Sequence, residues 1–179
     1  MGEFHNRLKK GAIMYQVGII TASDKGAAGQ REDLSGPAIR DILSGHSEFQ
    51  IAKMVILPDE PEALRGEMIR MSDEEGIHLI LTTGGTGFSK RDITPEATIA
   101  VCQRRVPGIP EAMRYYSLQI TPRAMLSRAE AGIRNNTLIV NMPGSPKAIR
   151  EVLDYILPSL IHGLDILTGN DSECATPTL

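Results

Sequence analysis

Apolar residues along the chain fall into two recurring patterns. Residues 15–21, 79–81 and 137–141 are short runs, β-branched or otherwise apolar almost throughout, as expected of strands covered on both faces. Residues 49–57 are a further strand, with Phe49, Ile51, Val55 and Leu57 on one side and Gln50, Ala52, Met54 and Ile56 on the other. Between these runs the spacing turns helical. Ile39, Ile42 and Leu43 follow a Ser35 cap and Pro37; Leu64, Met68 and Met71 form one stripe within residues 61–75; Ile99, Val101 and Cys102 follow a Thr94 cap and Pro95; Met113, Tyr116, Leu118 and Ile120 follow Pro110. Residues 125–128 make a short connection, and residues 147–167 form a strongly apolar final helix or helix pair. Strands alternating with helices predict an α/β fold with a parallel sheet. Asn135-Asn136, between residues 131–134 and 137–141, tolerates positive φ and suits a tight hairpin. The sheet is therefore expected to be mixed, mostly parallel with one antiparallel edge element.

The densest chemistry lies in residues 78–98, where the apolar run 79–81 passes through Thr82 and Thr83 into Gly84-Gly85-Thr86-Gly87, then Lys90-Arg91-Asp92. Glycines without Cβ atoms let an anion approach main-chain N–H groups, and strand–loop–helix order puts that anion at the carboxyl end of a strand. A plain turn would need one glycine; three, with two threonines, a cation pair and an aspartate, predict a phosphate-type ligand site. The spacing matches neither Gly-x-x-x-x-Gly-Lys-Ser/Thr nor a three-glycine dinucleotide loop. Two other strand ends repeat the theme. Ala22-Ser23-Asp24 opens a small-residue loop, and Pro143-Gly144-Ser145-Pro146 is either a second ligand turn or simply a helix start. Asp59, in Pro58-Asp59-Glu60-Pro61, reads by pattern as a turn-forming or N-cap carboxylate.

Bulk properties narrow the partners. A chain of 179 residues fits one domain, with 41% hydrophobic and 23% charged residues, ordinary for a globular protein. A formal net charge of −3 argues against nucleic acid as a partner. No apolar run reaches the roughly 20 residues a bilayer span needs, and no signal-peptide core is evident, so a cytoplasmic protein with no membrane partner is expected. Cys102 and Cys174 read as two reduced thiols, and the four histidines are scattered, so any metal is expected to be hard, such as Mg²⁺ on carboxylate and phosphate oxygens. Residues 1–14 form an N-terminal extension, 15–168 the domain and 169–179 a tail.

Five stretches together resemble the molybdenum-cofactor biosynthesis family, most closely its molybdopterin adenylyltransferases. They are Thr21-Ala22-Ser23-Asp24; Leu57-Pro58-Asp59-Glu60; the glycine loop with Arg91-Asp92-Ile93-Thr94-Pro95-Glu96-Ala97-Thr98; Met125-Leu126-Ser127-Arg128 followed by Ala131-Gly132-Ile133-Arg134; and Asn141-Met142-Pro143-Gly144-Ser145-Pro146. The resemblance implies a three-layer molybdopterin-binding-like α/β fold, a homotrimer, and transfer of AMP from Mg-ATP to the terminal phosphate of molybdopterin with release of pyrophosphate. A product handed to a molybdenum insertase is part of the same expectation, and a non-catalytic carrier or scaffold of this fold is the alternative. By position the resemblance makes Asp92 and Asp59 the catalytic and Mg²⁺-placing carboxylates, which replaces the bland reading of Asp59. It makes Ser23, Asp24, Thr83, Gly84, Gly85, Thr86, Gly87, Arg91, Ser127, Pro143, Gly144 and Ser145 the substrate- and nucleotide-binding set. Lys90 or Arg91 is expected to offset charge on the departing pyrophosphate.

Overall fold

The structure, a computed structural model, describes residues 14–170. The extension expected at residues 1–14 and the tail at 169–179 lie almost wholly outside those residues. Four strands, β1 (Tyr15–Ala22), β2 (Phe49–Leu57), β3 (Leu79–Thr83) and β6 (Thr137–Met142), run parallel. β5 (Ala131–Arg134) pairs antiparallel with β6 and β4 (Arg104–Arg105) antiparallel with β5, giving the order β2-β1-β3-β6-β5-β4. The expected hairpin turns at Asn135, whose φ is 50°. β4 left no trace in the pattern, because two exposed arginines carry no strand signal.

The α-helices among the described residues are α1 (Asp24–Ala27), α2 (Ser35–Leu43), α3 (Pro61–Asp73), α4 (Thr94–Val101), α5 (Gly108–Leu118) and α6 (Pro146–Leu167). Side chains alternate across a strand, so each central strand feeds two cores. Val17, Ile19, Leu79, Leu81 and Val140 pack with Ile39 of α2, Met113 of α5 and Ile149, Leu153 and Ile156 of α6. Ile20, Ile80 and Ile139 pack on the other face with Leu64, Met68 and Met71 of α3 and with Ala97 and Val101 of α4. Helix, sheet and helix therefore make the expected three layers. At the lower edge of the sheet the Tyr15 hydroxyl donates to Asp165 Oδ1 at 2.5 Å, joining the start of β1 to the last turn of α6.

Two local expectations are corrected, and one open alternative is decided. Ser35 does not cap α2; Asp33 Oδ1 accepts from the N–H groups of Ser35 and Gly36, leaving the Ser35 hydroxyl for another partner. Thr94 lies inside α4 rather than capping it, because its N–H is taken by the Gly85 carbonyl at 3.1 Å and Ile93 becomes the N-cap. The final apolar stretch is one helix that continues through Pro158. Pro158 and Asp154 are both exposed, so water can serve the carbonyl that the proline leaves without a donor.

His78 links the sheet to pH. Its Nδ1 accepts the Gln16 N–H at 3.0 Å, and burial lowers its pKa below the ordinary histidine value. As pH falls through the ordinary range near 6.5, the unfolded chain takes up a proton that the folded chain refuses, so stability declines with falling pH. Urea unfolding of wild type at pH 7.5 and 5.5 is expected to show that loss, and His78→Asn, which keeps an acceptor but does not titrate, is expected to lose less.

Candidate functional site

The parallel strands all deliver their carboxyl ends to one edge, and the loops after β1, β2, β3 and β6 meet there. β1 lies between β2 and β3, with α2 on one face and α3 on the other, so the chain reverses its direction of winding at β1/β3. Such a reversal parts the loops and opens a crevice. What lets the loops approach is missing Cβ atoms. Gly84, at φ +89°, would place a Cβ 2.3 Å from the Ala22 carbonyl oxygen, and Gly85, at φ +63°, would place one 2.4 Å from Thr94 Oγ1 and 3.2 Å from Asp59 Oδ1. A Cβ on Gly144 would stand 3.5 Å from Gly84 Cα, so the turns after β3 and β6 run backbone against backbone.

Polar side chains lock these loops from beneath. Thr83 Oγ1 donates to the Pro143 carbonyl at 2.7 Å, and Ser35 Oγ donates to the Gly144 carbonyl at 2.8 Å. The fully buried Asn141 amide donates to Thr82 Oγ1 and Thr98 Oγ1 at 2.9 and 2.8 Å, while its oxygen accepts the Glu130 N–H at 3.1 Å. One side chain thus ties β3, β6, α4 and the approach to β5.

Above this belt sits an acidic cluster built on reciprocity. The Asp24 N–H donates to Asp59 Oδ2 and the Asp59 N–H to Asp24 Oδ1, both at 3.0 Å. Arg91 reaches across from the glycine loop, donating to both Asp24 oxygens at 3.0 and 2.8 Å and to Glu60 Oε1 at 2.8 Å. The Arg91 hydrogen bond and the Asp59 N–H hold the Asp24 carboxyl below the usual carboxylate range, and its two acidic partners push the Arg91 guanidinium further up. Asp59 moves the other way. Burial raises its pKa most, with the Asp24 and Asp92 charges adding to it and the Asp24 N–H and Arg91 opposing. Asp59 Oδ1 and Thr94 Oγ1 are buried without a hydrogen-bond partner among the described residues, and both face the position a Gly85 side chain would fill.

Two clefts flank this edge. One, of about 320 Å³, is lined by Ser23, Arg31, Asp33, Asp59, Gly85 and Asp92 among others; the second, of about 340 Å³, by Thr86, Gly87, Arg114, Arg123, Ser127 and Ser145 among others. Gly144 lines both, so they adjoin across the β6 turn.

Residues 18–162 match the family described as a probable molybdopterin binding domain. The chain belongs to this family. A curated relative, the molybdopterin adenylyltransferase of Helicobacter pylori J99, is 46% identical over 158 residues, covering 86% of this chain and 88% of the relative. The molybdopterin adenylyltransferase of Haemophilus influenzae is 42% identical over 145 residues, 80% of this chain and 73% of its own length. A crystal structure of the molybdopterin biosynthesis enzyme MoaB from Thermus thermophilus superposes with a TM-score of 0.82 at 49% identity, covering 87% of this chain and 98% of that one.

Within this molybdopterin-binding family member, Ser23, Asp59, Asp92, Gly84 and Gly85 come together in the first cleft, and Thr86, Gly87, Ser127, Pro143 and Ser145 in the second. Ser145 is the N-cap residue of α6, yet its side chain makes no capping hydrogen bond. Ser23 does cap α1, accepting the Gly26 N–H at 3.1 Å. Three of the expected ligand residues make contacts within the protein: the Thr83 hydroxyl with Pro143, the Asp24 carboxylate with Arg91 and Asp59, and the Arg91 guanidinium with Asp24 and Glu60. Lys90 is exposed. Arg31, Asp33, Arg114 and Arg123 line the clefts unforeseen, since isolated charges on loops and helices carry no pattern. Cys102, free as expected, lies against Gly132 with its thiol pushed up to about 11 by burial; Cys174 lies outside the described residues.

The donor set fits a hard divalent cation in part. Asp59 offers a buried oxygen without a protein donor among the described residues, near a second carboxylate in Asp92. No group of three or more metal-ligating side chains occurs among the described residues, so such an ion would draw most of its shell from phosphate and water, as Mg²⁺ commonly does. The belt below is testable without ligand. Asn141→Leu strands two buried hydroxyls and a backbone N–H, and is expected to cost about 2–4 kcal/mol in urea unfolding. Gly84→Ala, facing a carbonyl oxygen that cannot step aside, is expected to cost about 2 kcal/mol or more through strain alone.

Proposed function

We propose that this chain is a molybdopterin adenylyltransferase that transfers AMP from Mg-ATP to the terminal phosphate of molybdopterin and releases pyrophosphate. The observation that carries the reading is the pair of clefts adjoining at Gly144, with opposite ends of the glycine loop in each. Joining two substrates requires neighbouring sites that share a phosphate-binding seam, and the named activity of the relatives supplies the chemistry. A phosphate monoester oxygen is largely ionised at neutral pH, so it can attack the α-phosphorus without a strong base. The new P–O bond forms as the bond from the α-phosphorus to the bridging oxygen breaks, and pyrophosphate leaves with that electron pair. Catalysis then rests on positioning and on donors for the charge of the two anions.

In this reading the N–H groups of residues 84–87 receive phosphate oxygens, and Ser145 donates to pterin or phosphate. Asp59 and Asp92 would hold Mg²⁺, which supplies charge neutralisation when bound. Asp59 is set for that task by the burial that raises its pKa, since a buried carboxylate with one oxygen left without a protein donor gains most from a cation. Arg91 acts indirectly, by fixing Asp24 and through it Asp59. Large apolar side chains exposed on α5 and the following 3₁₀ turn, Tyr115, Leu118 and Met125, offer a surface for the homotrimer. A cytoplasmic location and hand-over to a metal insertase belong to the same reading. No helix among the described residues is long and apolar enough to cross a membrane.

A single-turnover assay with molybdopterin and Mg-ATP, following adenylylated pterin and pyrophosphate together, tests this. Wild type is expected to form both in equal amounts, and Asp92→Asn neither at an appreciable rate. Tight pterin binding without either product would favour the carrier. Asp59→Asn is expected to lose activity while gaining thermal stability at pH 7. A folded-state pKa above the ordinary value means ionised Asp59 costs stability above that pKa, and the cost vanishes as pH falls below the unfolded value. The gain should therefore shrink on acidification.

A further inference from the structure

Arg128 belongs to the stretch between α5 and β5 that the proposed chemistry leaves without a role, and its contacts with the site are extensive. Its backbone N–H donates to the Thr86 carbonyl at 3.0 Å and its Nε to the Gly87 carbonyl at 2.7 Å. Nη2 donates to the Asp92 carbonyl and Nη1 to the Glu96 carboxylate in the first turn of α4. One residue, distant in sequence, therefore grips the glycine loop at its C-terminal end, the charged tip at its far end, and the helix beyond. The tip is closed on itself by the Ser89 N–H on Asp92 Oδ2 at 2.8 Å and the Asp92 N–H on the Ser89 carbonyl at 3.0 Å. Asp92 is thus fixed at its carbonyl by Arg128 and at its carboxylate by the tip.

The consequence follows from peptide geometry. A trans peptide unit points its N–H opposite its C=O. With the Thr86 and Gly87 carbonyls pinned to Arg128, the N–H groups of Gly87 and Phe88 are turned away from it. Among the described residues neither these nor the Thr86 N–H donates to a protein acceptor. Donors for an anion work when their direction is set beforehand. A guanidinium is suited to setting it, because its planar fork can take two carbonyls and a carboxylate at once, which an ammonium cannot do in fixed geometry.

We propose that Arg128 is a positioning residue for the transfer reaction: it aims the N–H groups of the glycine loop and holds Asp92 in place, without touching either substrate. The proposal rests on the adenylyltransferase reading, and its test separates the two. The full-length chain is compared with Arg128→Lys, Arg128→Ala and Glu96→Gln for kcat and KM, for pyrophosphate binding by calorimetry, and for thermal unfolding. Arg128→Lys is expected to lower kcat about ten- to a hundredfold, the scale seen when an outer support of a reactive group is removed, with the fold retained. Arg128→Ala is expected to lose as much and to regain part of kcat on adding guanidinium ion, with no such gain in wild type or the lysine variant. Glu96→Gln, which keeps both carbonyl contacts, should lose least.

Wild-type kcat and KM in Arg128→Lys would overturn the proposal, as would an activity loss that only tracks the unfolded fraction with no guanidinium rescue. If wild type forms no adenylylated pterin, the transferase reading fails by itself, and pyrophosphate decides the rest. Binding weakened by about tenfold in Arg128→Lys would still support the aiming of the loop. Equal binding, or none to wild type, would overturn it.

Discussion

A close passage of backbones governs this molecule. Gly84 sits where its missing side chain leaves only 2.3 Å to the Ala22 carbonyl, and Gly144 stacks against it from the neighbouring turn. The approach to the Ala22 carbonyl is closed to a residue with a Cβ, and the positive φ of Gly84 is unfavourable for one in any case. The strand ends can share a single edge because the loops leaving them are thin there. Everything functional on that edge uses space that thinness creates.

Bare backbone must still be satisfied, and the polar side chains around the loops divide that work. Asn141, Thr83, Ser35 and Arg128 take the inward-facing groups, so that the carbonyls of Thr86, Gly87, Asp92, Pro143 and Gly144 are consumed by protein. What remains unsatisfied around these loops, among the described residues, is chemically selective. Asp59 Oδ1 and Thr94 Oγ1 are buried oxygens without donors, and the N–H groups of Thr86, Gly87 and Phe88 are donors without acceptors. Such a set suits anions accompanied by a cation and is poor for anything neutral.

The sheet was largely legible because parallel strands covered on both faces must be mostly apolar or β-branched, and β1, β3 and β6 are. The hairpin was legible because Asn135 must accept a positive φ. The glycine loop announced itself by having more glycines than a turn needs. Side-chain partnerships were not legible in the same way. Asp24 and Asp59 are 35 residues apart, and nothing local says that each caps the other's backbone. Arg91 stands beside the glycine loop in sequence and Arg128 far from it, yet both spend their charge on the protein, one on carboxylates and the other chiefly on carbonyls. Thr82 and Thr83 point to opposite faces of β3, so only the fold decides which supports Asn141 and which supports Pro143. A pattern locates backbone, whereas the spending of long side chains depends on which strands the topology sets side by side.

The bond from Tyr15 to Asp165 has an architectural meaning. β1 starts at the edge of the sheet opposite the clefts, and α6, leaving β6 at the cleft edge, spans its 22 residues back to that same lower edge. Entry and exit of the folded unit are therefore side by side and remote from the chemistry. A fold with that arrangement behaves as a plug-in module: it can be spliced into, or strung between, other polypeptide segments through a single point of attachment while its reactive edge stays open to solvent.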